Sequence, residues 1–150
     1  MNAQPVPVIN RWSDSLACVS WFLARHGKPQ SQEEIIHQFG LWFPQWVHRP
    51  GFMDRGDLIN LLARWGFPAR RFVHLNEQTE ALRLVTHYYS DYLAGFAFTR
   101  KPTTRCLAVD TWNNETVVVM DPHPNAPAMH TLKWADLFQQ YDADVMWLFR

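Results

Sequence analysis

The stretch from Ser13 to Gly27 constrains the fold of this chain more than any other part of the sequence. Asp14 stands where a helix would begin, and aspartate is among the residues most favoured at the N-cap of helices. Cys18 and Phe22 follow within a run of apolar residues, and Gly27 is a typical helix terminator. The stretch therefore predicts a helix that is capped by Asp14 and buries its apolar residues.

Two further helices are predicted in the N-terminal half. Ser31 and Glu34 have the spacing of a capping box, which starts the second helix. A segment rich in tryptophan and proline follows at 41–50. The third helix has four large apolar residues at helical spacing and ends at Gly66; these residues are Leu58, Leu61, Leu62 and Trp65.

The C-terminal half has mainly the pattern of strands. Strands are predicted at 68–73, 106–109 and 116–120 and at the C-terminus around Trp147, with a short helix from about Asn76 and an apolar stretch at 92–98. The pair Asn113-Asn114 favours a turn, so the strands on either side of it should form a hairpin. The predicted class is α+β, with the N-terminal helices packed on an antiparallel sheet.

Composition limits the classes of function. The chain has 150 residues, a common size for one domain, so a single domain over 1–150 is expected. Its formal net charge is +0 with 19% charged residues, which argues against a surface for nucleic acid or an anionic membrane. No signal peptide and no apolar run of about 20 residues is visible, so we expect a cytoplasmic segment that does not insert into a membrane.

The segment from Ser13 to Gly27 resembles the opening helix of family C39 peptidases, which are papain-like and whose nucleophilic cysteine begins this helix. The likeness continues along nearly the whole chain, through Gly27–Ile36, the helix ending at Gly66, and Asp121 after the second hairpin strand. The resemblance implies a papain-like fold of C39-like type.

Two of the three catalytic positions that the resemblance implies are changed. Asp14 occupies the position of the cysteine and Arg105 that of the histidine, whereas Asp121 keeps the orienting position. An aspartate does not attack a peptide carbonyl effectively, and a charged arginine cannot accept a proton. Peptidase activity is therefore not expected. If the fold brings these positions together, Asp14 should pair with Arg105, and Asp121 should bind the arginine from its other side.

Cys18 and Cys106 are the two cysteines of the chain. Two are too few for a disulfide scaffold, and reduced thiols are expected. One reading of Cys18 is a buried small apolar residue, as free cysteines usually are. The alternative is the nucleophile of an active papain-like peptidase or toxin with a shifted register.

Aromatic residues make up 15% of the chain, and 8 of them are tryptophans. Four tryptophans stand beside proline, glycine, asparagine or charged residues and are predicted in loops: Trp12, Trp42, Trp46 and Trp112. Exposed aromatic residues commonly anchor peptide partners, whereas loop tryptophans can also fold back onto their own domain. Both readings remain open from the sequence. The seven histidines are scattered and lack metal-ligand spacing, so neither a metal nor another cofactor is expected.

Degenerate C39-like domains resemble the cytosolic N-terminal domains of bacterial type I secretion exporters of the ATP-binding-cassette class. The resemblance implies a noncatalytic domain that binds an unfolded polypeptide secretion substrate, with the rest of a membrane exporter as a further partner. The alternatives are the active peptidase that uses Cys18 and a free-standing pseudo-peptidase that acts as a binding module. A reading frame that continues past Arg150 into membrane helices would favour the exporter.

Overall fold

One antiparallel sheet and four α-helices are visible in the computed structural model, which describes residues 4–74, 93–99, 105–124, 128–143 and 145–149 together with 81, 83 and 87. The helices are α1 (Asp14–Arg25), α2 (Gln32–Phe39), α3 (Arg55–Arg64) and α4 (Trp134–Gln139). The strands are β1 (Ala69–His74), β2 (Leu93–Thr99), β3 (Arg105–Trp112), β4 (Thr116–Met120), β5 (Met129–Lys133) and β6 (Val145–Phe149). The α+β class is therefore correct.

The first helix is buried on nearly every side. Every residue from Ser15 to Leu23 is buried, and the helix packs against β3 in the sheet and against α2 and α3. At its C-terminal end, Arg25 forms an ion pair with Asp110 of β3. The helix thus lies between the sheet and the other N-terminal helices.

The two following helices begin with reciprocal capping. The predicted box is confirmed, since Ser31 Oγ accepts from the Glu34 N–H at 3.0 Å and Glu34 Oε2 accepts from the Ser31 N–H at 3.0 Å. At α3, Asp54 and Asp57 form the same reciprocal arrangement. Sequence reasoning missed this second box because its fourth residue is the shorter Asp57 instead of the usual glutamate or glutamine.

The predicted hairpin is formed by β3 and β4. Their register places Val109 opposite Val119, and it shifts between Val109 and Thr111. Asn113 shapes the turn, because its side-chain oxygen accepts from the N–H groups of Glu115 and Thr116, each at 2.8 Å.

The sheet order is β1-β6-β2-β3-β4-β5, and every pairing of neighbours is antiparallel. The last strand therefore lies between β1 and β2, which are distant from it along the chain. Strand β5 was not predicted. The short helix expected from about Asn76 falls mostly outside the described residues.

Both faces of the central strands are covered. Alternating residues of β2 and β3 enter two hydrophobic clusters, with Phe96 and Cys106 on the side of α1 to α3 and Ala97 and Leu107 on the side of α4. The N-terminal helices therefore pack on one face of the sheet, as predicted. None of the helices in the described residues has the length and hydropathy needed to cross a bilayer.

Candidate functional site

The site is built where α1 and β3 both begin. Asp14 is the first residue of α1, and its Oδ2 accepts a hydrogen bond of 2.9 Å from the backbone N–H of Cys106. The residue before it, Ser13, is fully buried and accepts from the N–H groups of Ile9 and Asn10. The bond from Cys106 links the start of the helix to the start of the strand, and the bonds of Ser13 fix the preceding segment to the helix.

The prediction that Asp14 is the N-cap residue of α1 is wrong. The N-cap residue is Ser13, and its side chain forms no capping hydrogen bond. The carboxylate of Asp14 is directed to the strand instead, because a buried backbone N–H at the start of β3 needs an acceptor. Asp14 therefore joins two elements in addition to standing at a helix N-terminus.

Arg105 and Asp121 form the charged pair of the site. Nη1 of Arg105 lies 3.3 Å from Oδ1 of Asp121, and Nη2 lies 3.3 Å from Oδ2. The side chains are 11% and 1% exposed, so the pair is largely shielded from water. Asp121 Oδ1 also accepts from the N–H of His123 at 3.0 Å. The expected contact between Arg105 and Asp121 is thus present.

The direct pairing of Asp14 with Arg105 was wrong. The two described side chains share no hydrogen bond and no ion pair, and they influence each other only through charge. Burial raises the pKa of Asp14 above its ordinary value, while backbone N–H groups, that of Cys106 first, and the charge of Arg105 oppose the rise. Asp121 contacts both terminal nitrogens of the Arg105 guanidinium. Asp14 instead accepts a hydrogen bond from the backbone N–H of Cys106.

A cleft with a volume of about 370 Å³ opens beside these residues. It is lined by Arg11, Trp12, Asp14, Ser15, Phe52, Met53, Asp54, Arg55, Phe98, Arg105 and Cys106. Its volume falls within the roughly 300–1,000 Å³ of typical ligand pockets. We call it the Asp14 cleft.

A second depression of about 430 Å³ adjoins the Asp14 cleft. Arg11, Asp14 and Arg105 line both, so these three residues form the divide between them. The second depression also includes His123 and the backbone region 8–10. The two depressions therefore lie next to each other, with Phe52 lining the first and His123 the second.

Cys18 lies beneath the surface of the Asp14 cleft and does not line it. Its side chain is fully buried and its Sγ lies 3.5 Å from the carbonyl oxygen of Cys106. Burial raises the pKa of the Cys18 thiol well above its ordinary value, and the adjacent Cys106 raises it further. Cys18 is not among the residues that line the cleft. The expectation of a buried apolar cysteine is confirmed.

The four tryptophans have different environments. Trp12 is partly buried and lines the Asp14 cleft, with the guanidinium of Arg11 at 4.6 Å from its ring centroid. Trp42 is 50% exposed and lines a separate depression with Arg64. Only Trp12 among the four therefore lines the cleft beside Asp14 and Arg105.

The prediction that Trp46 and Trp112 are loop residues available to a peptide needs correction. Trp46 is 5% exposed, stacks on Phe43 and donates its Nε1–H to the carbonyl of Phe52 at 2.7 Å, so it belongs to the core. Trp112 is the last residue of β3 and not a loop residue, and it packs partly against the second hydrophobic cluster. The flanking proline and asparagine were misleading because tertiary packing decides exposure.

Sequence reasoning missed most of the other residues that line the cleft, among them Arg55 and Phe98. The guanidinium of Arg55 lies 4.6 Å from the ring centroid of Phe98, although the residues belong to α3 and β2. No local pattern indicates such a contact. Within the described residues, no group of three or more histidine, cysteine or acidic side chains is arranged to hold a metal ion.

The chain matches no protein-family model, and no curated protein gives a significant match to it.

Proposed function

We propose that this chain is a noncatalytic, papain-like domain of C39-like type whose Asp14 cleft binds an extended polypeptide. The observation that carries the proposal is the meeting of Asp14, Arg105 and Asp121 at one edge of the cleft. The resemblance implied that these positions, which are far apart in the sequence, form one site. Their arrangement by α1, β3 and the end of β4 supports that expectation.

The chemistry of the site supports binding without cleavage. Where a thiolate and an imidazole would be required, the cleft presents a carboxylate bonded to a backbone N–H and a guanidinium bonded to a carboxylate. Neither group is an effective nucleophile or an acceptor for a thiol proton. The buried thiol of Cys18 is not placed to replace them.

The residues that line the cleft favour a polypeptide as its ligand. Trp12 and Phe52 provide apolar surface, and the adjoining depression extends the surface in the direction of His123. Partly buried aromatic rings contribute strongly to peptide binding because they bury a large area with few rotatable bonds. We infer that the ligand is an unfolded secretion substrate, held on the cytosolic side of an exporter of which this chain is a domain.

Binding to a permanently unfolded, fluorescently labelled polypeptide tests the proposal. Fluorescence anisotropy should give saturable binding, and Trp12→Ala should weaken it about tenfold because the variant removes an aromatic wall. Trp42→Ala is the matched control, since it removes the same side chain from a different depression, and it should leave the affinity unchanged.

Absence of binding to every unfolded polypeptide tried would contradict the proposal. Equal losses for the two tryptophan variants would show that the ligand does not occupy the Asp14 cleft. The same incubations, separated by gel electrophoresis, should contain only intact polypeptide. Fragments that disappear with Cys18→Ala would favour the active peptidase instead.

A further inference from the structure

Exposed apolar side chains are concentrated in one short part of the chain, which we call the 39–47 segment. Leu41 is 97% exposed, Val47 79% and Trp42 50%. Elsewhere in the described residues, Ile9 is the large apolar side chain that is also exposed, at 43%. Single exposed apolar residues are common on protein surfaces, whereas a group of them indicates a surface that another body covers.

The segment is fixed to the core by its other aromatic residues. Phe39, Phe43 and Trp46 are buried in the larger hydrophobic cluster, and Trp46 stacks on Phe43. The backbone between them forms two short 3₁₀ turns, Gly40–Trp42 and Pro44–Val47, which contact each other. The exposed side chains therefore project from an anchored backbone, so that little backbone entropy is lost when a partner covers them.

The exposed apolar area is small for an interface between proteins. Three such side chains offer on the order of 400 Å², whereas each partner buries about 800 Å² in a standard interface. Two copies that met through this segment would have to bury as much again of the polar surface around it. A bilayer covers projecting side chains of any shape, and tryptophan is enriched at the depth of the lipid headgroups.

The charges of the segment and its flanks suit an anionic lipid surface. The sequence from Ile35 to Met53 contains His37, His48 and Arg49 and neither aspartate nor glutamate. All three of these basic side chains are exposed. The formal net charge of +0 is a sum over the whole chain and does not exclude a local excess of positive charge. An arginine close to an anionic membrane contributes favourably to binding.

Helix α3 adds a further positive charge beside Trp42. The guanidinium of Arg64 lies over the Trp42 ring, and both residues line one depression. Asp57 of the same helix approaches the segment, with its Oδ2 3.5 Å from Nε2 of Gln45. That carboxylate also accepts from the Asp54 N–H and belongs to the cap of α3. A long arginine side chain can stay at the headgroups while its apolar neighbours enter more deeply.

We propose that the 39–47 segment docks on an anionic lipid surface. Its exposed apolar side chains enter the boundary between headgroups and acyl chains, and the guanidinium groups of Arg49 and Arg64 lie among the lipid phosphates. The chain then lies on the bilayer without crossing it. This inference goes beyond the proposed function, because the depression beside Trp42 shares no lining residue with the Asp14 cleft.

Flotation of the intact chain with lipid vesicles tests the inference. Unilamellar vesicles of phosphatidylcholine and phosphatidylserine in a two-to-one ratio should carry the protein to the top of a density gradient. Vesicles of phosphatidylcholine alone should bind it about tenfold more weakly, because they lack the anionic headgroups. Added salt should reduce this difference, since it screens the attraction between the arginines and the lipids.

Two substitutions remove the apolar contribution. Leu41→Ser and Val47→Ser should each weaken binding to the mixed vesicles about tenfold, because each removes a side chain that the bilayer would bury. Unchanged urea denaturation should show that these variants fold normally. Ile9→Ser is the matched control, since Ile9 is also exposed but lines the depression next to the Asp14 cleft. It should leave vesicle binding unchanged.

A second pair of substitutions tests the charge. Arg49→Gln should weaken binding to the mixed vesicles several-fold and leave binding to phosphatidylcholine nearly unchanged. Lys133→Gln removes one exposed positive charge from the edge strand β5, and it is the control for the change in net charge. Equal effects of these two substitutions would overturn the assignment of the lipid contact to the 39–47 segment.

The remaining outcomes also decide the matter. Failure of the protein to float with the mixed vesicles would overturn the inference, and so would equal losses for Leu41→Ser and Ile9→Ser. Sedimentation velocity without lipid should give the same species for the unaltered chain and for Leu41→Ser. A dimer that Leu41→Ser converts to a monomer would assign the segment to contact between two copies and overturn the inference.

Discussion

At the scale of single residues, Arg105 and Asp121 illustrate how a buried charge is accommodated. Arg105 is 11% exposed and Asp121 almost fully buried, so each requires the other to offset the loss of water. That these residues and Asp14 would be neighbours was an expectation from the resemblance to C39 peptidases. Two features of the fold decided which carboxylate binds the guanidinium. One is the orientation of β3, and the other is the N–H of Cys106, which donates a hydrogen bond to Asp14.

Replacing Asp121 tests the structural role of this pair. Asp121→Ala should lower the free energy of unfolding by about 3 kcal/mol because it leaves a mostly buried guanidinium without its counter-charge. Asp121→Asn should cost less, since its amide oxygen can still accept from Arg105 and from the N–H of His123. Urea denaturation at neutral pH measures both changes.

The control for this prediction is a double-mutant cycle with Arg105→Met. In that background the guanidinium is gone, and Asp121→Ala should cost much less than it does alone. Additive losses would mean that the two side chains do not stabilise one another.

At the scale of elements, the close approach of residue 51 to helix α1 decides the shape of the cleft. Gly51 has a φ of +83°, and a Cβ at this position would lie 2.8 Å from Leu16 Cδ2 and 3.1 Å from Ser13 Cβ. The cleft residues Phe52 and Arg55 follow directly in the chain. Without a side chain at Gly51, this segment can lie against the start of α1.

Gly51→Ala and Gly27→Ala separate backbone strain from close packing. Gly27 has a similar φ of +80°, but nothing lies within 4 Å of its would-be Cβ. Gly27→Ala should therefore cost about 1 kcal/mol from the positive φ alone. Gly51→Ala should cost about 1–3 kcal/mol more because its methyl group overlaps Leu16. Chemical denaturation measures the free energy of unfolding of both variants. Equal losses would show that α1 can shift to accommodate the added methyl group without a penalty.

Elements with local signals were predicted well. The capping box at Ser31 and the hairpin turn at Asn113 depend on residues a few positions apart, so the sequence contains the whole interaction. The register shift between Val109 and Thr111 and the strand Met129–Lys133 depend on neighbouring strands, and no local pattern predicted them.

At the scale of the whole molecule, the two cysteines lie where α1 meets β3. Cys18 and Cys106 are both buried, and the Cys18 Sγ contacts the Cys106 carbonyl across the interface of helix and sheet. Both cysteines belong to the larger hydrophobic cluster. Exposure of either thiol therefore requires the helix to separate from the sheet.

Thiol labelling of the native protein should accordingly be slow. A chromogenic disulfide reagent should modify both thiols together, at a rate that rises with urea in parallel with the unfolded fraction, because only unfolding exposes them. Absorbance measures the reaction, and Cys18→Ala and Cys106→Ala identify the contribution of each thiol. Rapid labelling of Cys18 alone, without urea, would restore it as a candidate nucleophile.

The sequence by itself determined the three N-terminal helices, the hairpin and the acidic and basic character of Asp14 and Arg105, because helical spacing, capping residues and residue identity are local properties. Only the tertiary structure decided that Asp121, and not Asp14, binds Arg105, that Trp46 is buried while Trp12 lines the cleft, and that Arg55 stacks on Phe98. Those outcomes depend on which segments meet in space, and burial and partner choice are set by contacts between residues far apart in the chain.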